Sequence, residues 1–330
     1  MRFNPITLRW VIYAAARQQR PHDHRQRDDG SGPQPRHDTS CPFCPGNEHL
    51  TPPTILQWPA GDRPWRVRAF VNKFPILTPD DDTGIPPVSK AIYSSAVGYG
   101  RHEVVVETPD HHEDLARMPL QYVEVFIEVC HQRYVTMKSD PLIQCVFLFR
   151  NHGARAGASL SHPHSQLIGT HIVTPQVRFR ESAARRYHRE RGKCAWCEAL
   201  GFERGSGQRL VYENPSFLAF VPYAAEVPCE IWVAPCEHRA DFSTATGKER
   251  ADLADALHTI LRRLRERAND PDYNLMFHTA SRSAVSAPYM HWYVQIRPRI
   301  GVKAGFEMAS GMAVNTSLPE EDAARLRLGN

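Results

Sequence analysis

The feature of this sequence that most constrains its fold is an ordered set of cysteines and histidines that occurs twice. Each half of the chain contains a Cys-x-x-Cys pair followed by two separated histidines: Cys41, Cys44, His111 and His162 in the first half, and Cys194, Cys197, His238 and His291 in the second. The two histidines are 51 residues apart in the first set (162 − 111) and 53 in the second (291 − 238). The distance from the second cysteine to the first histidine differs more, at 67 (111 − 44) and 41 (238 − 197) residues. This pattern indicates two copies of one structural unit.

Each set offers two thiolates and two imidazoles, the donors that zinc accepts in tetrahedral geometry. A redox pair is the alternative, but a thioredoxin-like Cys-x-x-Cys begins a helix after a strand, whereas Cys41 follows a polar loop. We therefore predict two zinc ions per chain. The other four cysteines have no comparable spacing, and Cys130 and Cys145 lie in apolar patterns that predict buried positions.

The length and net charge of the chain exclude several classes of protein. A chain of 330 residues predicts two domains or one doubled domain. A net charge of +4 (40 basic minus 36 acidic residues) is too small to indicate a nucleic-acid partner. No apolar run approaches the ~20 residues of a membrane span, and the first residues do not form a signal peptide. We expect a cytoplasmic protein with neither a nucleic-acid nor a membrane partner.

Short runs rich in Val, Ile, Phe and Tyr predict strands, and two longer segments have helical spacing. The helical segments are 120–134 and 253–264, while 22–40 and 78–90 are polar and predict loops. The order of several strands, one helix and then more strands occurs twice along the chain. This order indicates an α+β fold with a mainly antiparallel sheet. The predicted strands are Arg66–Val71, Glu103–Glu107, Gln144–Phe149, Gln166–Val173, Phe217–Val221, Glu230–Ala234, Asn274–Thr279 and His291–Ile296.

The segment His162-Pro163-His164-Ser165-Gln166 leads into one of these strands. From this segment we expect one histidine to face a metal and the other to face a substrate. A histidine whose second ring nitrogen is held by an acceptor can act as a nucleophile. From spacing alone, a pair of surface or metal-binding histidines without a covalent role is an open alternative.

An ordered pattern of segments extends along most of the chain. Around the two histidines it consists of Asn151, Gly157, Ser159 and His162–Gln166. The other segments are Asn4–Val11, Arg17, Arg20–Pro21, Cys41–Cys44, Asn72–Pro75, Gly98–Val104, Pro109–His111, His291–Trp292 and Ala304–Glu307. This pattern resembles the galactose-1-phosphate uridylyltransferase family of the histidine-triad superfamily. The resemblance implies two tandem histidine-triad-like units, 1–176 with the catalytic segment and first zinc site, and 177–330 with the second zinc site and a sugar-binding segment.

The resemblance also implies roles for individual residues. His164 would be a nucleophile that takes a uridylyl group from UDP-glucose, releases glucose 1-phosphate and passes the group to galactose 1-phosphate. The His162 carbonyl would hold the other ring nitrogen of His164, and Gln166 and Ser159 would hydrogen-bond the phosphoryl oxygens. The implied substrate contacts are Arg17 and Arg20 for phosphate, Phe43 and Asn72 for base and ribose, Asn151 for the phosphate-binding loop, and Glu307 for the sugar, at or near a homodimer interface.

The sequence departs from the pattern of this family at two places that bear on substrate specificity. The stretch from Tyr293 to Arg297 lacks the His-x-His of the best-known bacterial branch, and the second Cys-x-x-Cys resembles a branch that includes ADP-glucose phosphorylase. Ser165 stands where many uridylyltransferases have Gly or Cys. The leading hypothesis is a UDP-glucose–hexose-1-phosphate uridylyltransferase of galactose metabolism. The alternative is an ADP-glucose or dinucleoside-polyphosphate phosphorylase, and a zinc-scaffold protein without catalysis is the third, disfavoured by the intact His162-x-His164-x-Gln166 pattern.

Overall fold

A ten-stranded antiparallel sheet dominates the computed structural model, which describes residues 1–16, 35–61, 63–79, 88–301 and 303–327. The described strands are β1 (Arg2–Asn4), β2 (Arg9–Tyr13), β3 (Thr54–Trp58), β4 (Val67–Val71), β5 (Val88–Lys90), β6 (Tyr93–Ser95), β7 (Gly100–Val106), β8 (Cys145–His152), β9 (His164–Thr170), β10 (Leu210–Glu213), β11 (Phe217–Phe220), β12 (Ile231–Pro235), β13 (Tyr273–His278), β14 (Tyr293–Pro298) and β15 (Ala313–Asn315). The helices are α1 (Leu120–Ser139), α2 (Pro175–Arg191), α3 (Ala195–Ser206), α4 (Gly247–Arg267), α5 (Gly305–Ser310) and α6 (Pro319–Arg327).

The sheet consists of two five-stranded halves that correspond to the two halves of the sequence. Its order is β10-β11-β12-β14-β13-β8-β9-β7-β4-β3, so β8 and β13 join the halves at the centre. These two strands run antiparallel, and Asn274 lies directly opposite Asn151. The arrangement brings β13 of the second half beside β8 of the first half.

The long helices α1 and α4 supply the apolar side chains that cover one face of this sheet. Val123 and Ile127 of α1 and Leu257 of α4 share one buried cluster with Leu167 and Leu275 of the strands. The helical spacing of these residues gives each helix one apolar stripe, which the sheet buries. The approach of α1 is close at Gly169, where an added Cβ would lie 2.9 Å from the sulfur of Met137. One face of β9 is therefore packed, and its functional side chains lie on the other.

The α+β class, the mainly antiparallel sheet, all eight predicted strands and both predicted helices are confirmed. Sequence reasoning missed the short strands at the edges and helices α2, α3, α5 and α6. Part of the predicted loop 78–90 is strand β5, which pairs with β6 in a hairpin between β4 and β7. Most of the predicted loop 22–40 lies outside the described residues. The domain boundary after residue 176 stays a prediction.

A smaller three-stranded sheet, β1-β2-β15, joins the start of the chain to its second half. Arg2 and Arg209 both donate hydrogen bonds to the carboxylate of Glu320, at 2.9 and 2.8 Å. Burial alone would raise the pKa of Glu320, but these two hydrogen bonds outweigh it and lower the pKa to about 2. Within the described part of the chain, no helix has the length and apolar character needed to cross a membrane.

Candidate active site

The four residues of the first cysteine–histidine set converge on one point beside His164. Their four donor atoms lie within 4.8 Å of one another, and all four residues are buried. The Sγ of Cys44 is 3.4 Å from Nδ1 of His111 and 3.5 Å from Nδ1 of His162. A tetrahedral zinc ion with bonds of about 2.0–2.3 Å holds sulfur and nitrogen ligands about 3.5 Å apart. The four residues Cys41, Cys44, His111 and His162 therefore fit a tetrahedral metal ion.

The outer nitrogens of both histidines are also engaged. Nε2 of His162 donates to the backbone carbonyl of Thr108 at 2.8 Å, and Nε2 of His111 lies 2.9 Å from Oγ of Ser161. These contacts fix the rings with Nδ1 toward the two thiols, as ligating histidines require.

The second set, Cys194, Cys197, His238 and His291, forms a matching cluster. The Sγ of Cys197 is 3.4 Å from Nδ1 of His238 and 3.8 Å from Nδ1 of His291. Nε2 of His291 donates to the carbonyl of Pro235 at 2.9 Å, as His162 does to Thr108. Cys194 stands at the N-terminal end of α3, a position also used by redox pairs, but two converging histidines favour a metal site.

His164 begins strand β9, two residues after the metal-cluster histidine His162. Nδ1 of His164 donates to the backbone carbonyl of His162 at 2.8 Å, so the proton resides on Nδ1 and the lone pair on Nε2. Burial lowers the pKa of His164, and the hydrogen bond to His162 offsets part of this effect. The ring packs edge-on against Phe43 at 5.2 Å between centroids. This geometry leaves a neutral imidazole with a free nucleophilic nitrogen.

Gln166 lies on the same face of β9 as His164, and its amide contacts His102, whose Nε2 also lies 3.1 Å from Nδ2 of Asn72. The backbone N–H of Ile76 donates to Nδ1 of His102 at 3.3 Å, so the ring proton is on Nε2. That Nε2–H donates to Oε1 of Gln166 at 2.7 Å. Because the amide oxygen faces His102, the NH2 end of Gln166 is available to donate to a ligand.

Asn151 is the second-last residue of β8, and the loop that follows β8 carries Ser159. Asn151 accepts a hydrogen bond at Oδ1 from Nδ2 of Asn274, at 2.8 Å, which leaves its own NH2 group free. Ser159 is exposed within the loop between β8 and β9. Asn72 follows β4 and accepts a hydrogen bond from the backbone of Phe74 at 2.9 Å.

The structure does not bring all the predicted residues together. Arg17 and Arg20 lie outside the described residues. Glu307 lies on α5 in the second half, where its carboxylate accepts the backbone N–H of Ala304 at 3.1 Å. Its neighbours Phe306 and Met308 expose 52% and 71% of their surface.

The side chain of Ser165 faces away from the site. Its hydroxyl donates to Oε1 of Glu107 at 2.7 Å, and Nε of Arg150 lies 2.9 Å from both oxygens of that carboxylate. Arg150 also donates to the hydroxyl of Tyr273 at 2.6 Å. Ser165 therefore belongs to a buried ion-pair network on the sheet face opposite to His164.

The second half lacks an equivalent nucleophile. Two residues after His291, where the first half has His164, the second half has Tyr293. Burial raises the pKa of Tyr293 to about 12, and its ring packs 4.2 Å from that of Trp196. A protonated, enclosed phenol is not a nucleophile near neutral pH.

A cavity of about 1000 Å³ opens on the sheet face that carries His164 and Gln166, but neither of these two residues lines it. Asn151 and Ile168 line the end beside the first half, while Gln295 and Arg297 line the end in the second half. A volume of this size accommodates a nucleotide-sized ligand.

Sequence reasoning missed His102, Ser161 and the Glu107–Arg150 pair. His102 lies in the segment Gly98–Val104, which carried the family resemblance but suggested no role. Its contact with Gln166 spans 64 residues of sequence, so only the pairing of β7 with β9 reveals it.

Two protein-family models match the chain in succession. Galactose-1-phosphate uridyl transferase, N-terminal domain, matches residues 1–174, and the C-terminal domain of the same family matches residues 180–328.

Relatives that match nearly the whole chain carry the names of two different enzymes. ADP-glucose phosphorylase from Arabidopsis thaliana is 33% identical over 329 residues, covering 99% of this chain and 92% of the relative. Galactose-1-phosphate uridylyltransferase from Thermotoga maritima is 30% identical over 339 residues, with 99% and 97% covered. A crystal structure of the Arabidopsis thaliana ADP-glucose phosphorylase with bound ADP-glucose superposes with a TM-score of 0.85 at 31% identity, covering 100% of this chain and 98% of the other. A uridylyltransferase structure gives a TM-score of 0.76 at 27% identity, with 98% and 96% covered.

Proposed function

Because the chain belongs to the galactose-1-phosphate uridyl transferase family, we propose that it moves a uridylyl group from UDP-glucose to galactose 1-phosphate. The products are UDP-galactose and glucose 1-phosphate. The observation that carries this proposal is the 2.8 Å hydrogen bond from His164 Nδ1 to the His162 carbonyl, which leaves Nε2 free to attack. A binding protein without catalysis has no need of this arrangement.

The reaction proceeds in two displacements at one phosphorus atom. Nε2 of His164 attacks the α-phosphorus of UDP-glucose, a P–N bond forms, and the P–O bond to glucose 1-phosphate breaks with the electron pair leaving on oxygen. Galactose 1-phosphate then attacks the same phosphorus through a phosphate oxygen, and the P–N electron pair returns to Nε2. Neither step needs a proton from the enzyme, because the leaving and attacking oxygens are phosphate oxygens.

Gln166 and Ser159 donate hydrogen bonds to the non-bridging phosphoryl oxygens, where charge shifts during transfer. The orientation of the Gln166 amide by His102 supports this role, because its NH2 end needs no reorientation. Asn151 presents its own NH2 group to the phosphate-binding loop. Phe43, which packs against His164, borders the base with Asn72, while Arg17 and Arg20 contact phosphate.

The two cysteine–histidine clusters hold one zinc ion each. The distances of 3.4–3.8 Å between sulfur and nitrogen donors support zinc. The ions have a structural role: the first fixes His162, whose carbonyl orients His164, and the second fixes the corresponding segment of the second half.

Adenylyl transfer is the second candidate function, because the relatives include an ADP-glucose phosphorylase at 33% identity and a TM-score of 0.85. In that reaction His164 takes the adenylyl group of ADP-glucose, and inorganic phosphate is the acceptor. The covalent chemistry is the same, so base and acceptor alone distinguish the two.

The protein acts in the cytoplasm as a homodimer. The exposed apolar side chains of Phe306 and Met308 on either side of Glu307 support an interface at α5. Glu307 then contacts a sugar hydroxyl in or near the partner's site.

A two-by-two assay tests the proposal. Zinc-loaded protein is incubated with UDP-glucose or ADP-glucose as donor and with galactose 1-phosphate or phosphate as acceptor, and products are measured by chromatography. We expect turnover with UDP-glucose and galactose 1-phosphate, abolished in His164→Ala. Turnover only with ADP-glucose and phosphate assigns the second function, and no turnover in any combination contradicts both.

A further inference from the structure

The half of the chain without a nucleophile places three consecutive residues against the candidate site of the other half. Strand β13 and the residue before it supply Asp272, Tyr273 and Asn274, and each contacts strand β8 or the loop that follows it. Asn274 has 7% of its surface exposed, so its polar atoms interact with protein groups. These contacts lie where the phosphate-binding residues begin.

The hydrogen bonds of the Asn274 side-chain amide determine its orientation. Its Nδ2 donates to Oδ1 of Asn151 and to the backbone carbonyl of Ala156, both at 2.8 Å. Its Oδ1 accepts from Nε of Arg299 at 2.6 Å. The arginine therefore fixes which end of Asn274 faces the first half.

These contacts allow the side-chain amide of Asn151 only one orientation. Its oxygen is taken by Asn274, so its NH2 group is the end available to a ligand. A Cβ added to Gly157 would lie 4.0 Å from that nitrogen, which places the NH2 group beside the loop.

Asp272 holds the start of the same loop. Its Oδ2 accepts the backbone N–H of Arg155 at 2.6 Å. Gly153 adopts a φ of 81°, and a Cβ there would lie 2.0 Å from the Asp272 carboxylate, so the loop backbone packs directly on this side chain.

We propose that Asp272 and Asn274 are positioning residues for the phosphoryl-binding site of the opposite half. The inference rests on the proposed nucleotidyl transfer. The two residues hold the Asn151 amide and the loop 153–158 in their working positions before the donor binds, so that reorganisation is not needed during transfer. The second copy of the repeat, which has Tyr293 at the position equivalent to His164, thereby serves the site of the first.

The variant Asn274→Asp tests this role with little change in volume. It keeps the acceptor for Arg299, removes both donated hydrogen bonds and places a carboxylate oxygen against the oxygens of Asn151 and Ala156. The assay is single-turnover formation of the nucleotidyl-histidine, followed by quench and intact-mass measurement, with the donor that the wild-type protein accepts, UDP-glucose or ADP-glucose. We expect the maximal rate to fall about 10- to 100-fold, while the half-saturating donor concentration changes less than about threefold.

Asn214→Asp is the matched control for stability. Asn214 donates to the carbonyl of Asp252 at 2.7 Å in the turn between β10 and β11, within the second half alone. It undergoes the same amide-to-acid change, and we expect a lowered melting temperature with an unchanged rate of adduct formation. A rate loss equal to that of Asn274→Asp would overturn the positioning role.

A pair of variants at Asp272 decides the question independently if Asn274→Asp does not fold. Asp272→Asn keeps an acceptor for the Arg155 N–H and should react near the wild-type rate, whereas Asp272→Ala should be slowed. Equal rates for these two variants, or wild-type rates for both Asn274→Asp and Asp272→Ala, would overturn the inference. A wild-type protein that forms no adduct would overturn the proposed function, and the inference with it, so the two failures are distinguishable.

Discussion

The orientation of Gln166 by His102 leads to a quantitative prediction for the variant His102→Phe. Phenylalanine keeps an aromatic ring in the buried position but removes the Nε2–H that donates to Gln166 at 2.7 Å. A hydrogen bond of this kind contributes about 0.5–1.5 kcal/mol. At 1.36 kcal/mol per tenfold change, losing it slows transfer about 2- to 13-fold.

The magnitude follows from the indirect role of His102. Gln166→Ala removes the donor itself, for which losses of about 100- to 1000-fold are typical. If His102 acts only by orienting Gln166, the variant His102→Phe should have no further effect once Gln166 is Ala. The measurement is the single-turnover rate of adduct formation at saturating donor in the wild-type protein, both single variants and the double variant.

Two results would refute this reasoning. A double variant that is slower than Gln166→Ala by the full His102→Phe factor would show that His102 acts independently of Gln166. A loss above about 100-fold in His102→Phe alone would exceed what a single neutral hydrogen bond supplies and would assign His102 a direct role with substrate.

Three further predictions concern metal, ion pairing and pH. Cys41→Ser and Cys194→Ser should each lower the zinc content by one ion per chain in elemental analysis. Cys41→Ser should also lower the melting temperature, because metal binding is coupled to folding. An unchanged zinc content in either variant contradicts the corresponding site. Glu107→Ala leaves the Arg150 side chain, 2% exposed, without its carboxylate, and should cost about 3–5 kcal/mol in the free energy of unfolding; a loss below about 1 kcal/mol in denaturant titration would show that the pair is not buried as described. Because the pKa of Glu320 is lowered from 4.5 to about 2, its ionised form stabilises the folded state above pH 4.5, and the stability difference between wild type and Glu320→Gln should shrink as the pH falls toward 2; a difference that stays constant over this range contradicts the assignment.

The sequence predicts those parts of the fold that depend on local pattern. Strands such as β9 and β13 contain branched and aromatic residues in short runs, and α1 and α4 place apolar residues at steps of three and four, so both kinds of element were predicted. Helix α2 was missed because it buries only Val177, Glu181 and Ala183 and is otherwise rich in arginine. Its start at Pro175 and its end at Gly192, with a left-handed backbone, were the available signals.

Some residues of the candidate site could likewise be predicted from local pattern, and others could not. The positions of His162, His164 and Gln166 follow from their spacing at the start of a strand. The roles of His102 and Asn274 could not be predicted, because their partners Gln166 and Asn151 are 64 and 123 residues away and meet them only through the order of strands in the sheet. The two metal clusters could be predicted because their order repeats along the chain.

Covalent transfer through His164 is the central claim, and mass spectrometry of the intact protein tests it most directly. Zinc-loaded protein is incubated with UDP-glucose in the absence of acceptor, and a parallel sample receives ADP-glucose. The account predicts a mass increase of one nucleotidyl group, located by peptide mapping on His164, lost on addition of acceptor and absent in His164→Ala. A folded, zinc-loaded protein that acquires no nucleotidyl group from either donor, or that carries it on another residue, would contradict the account.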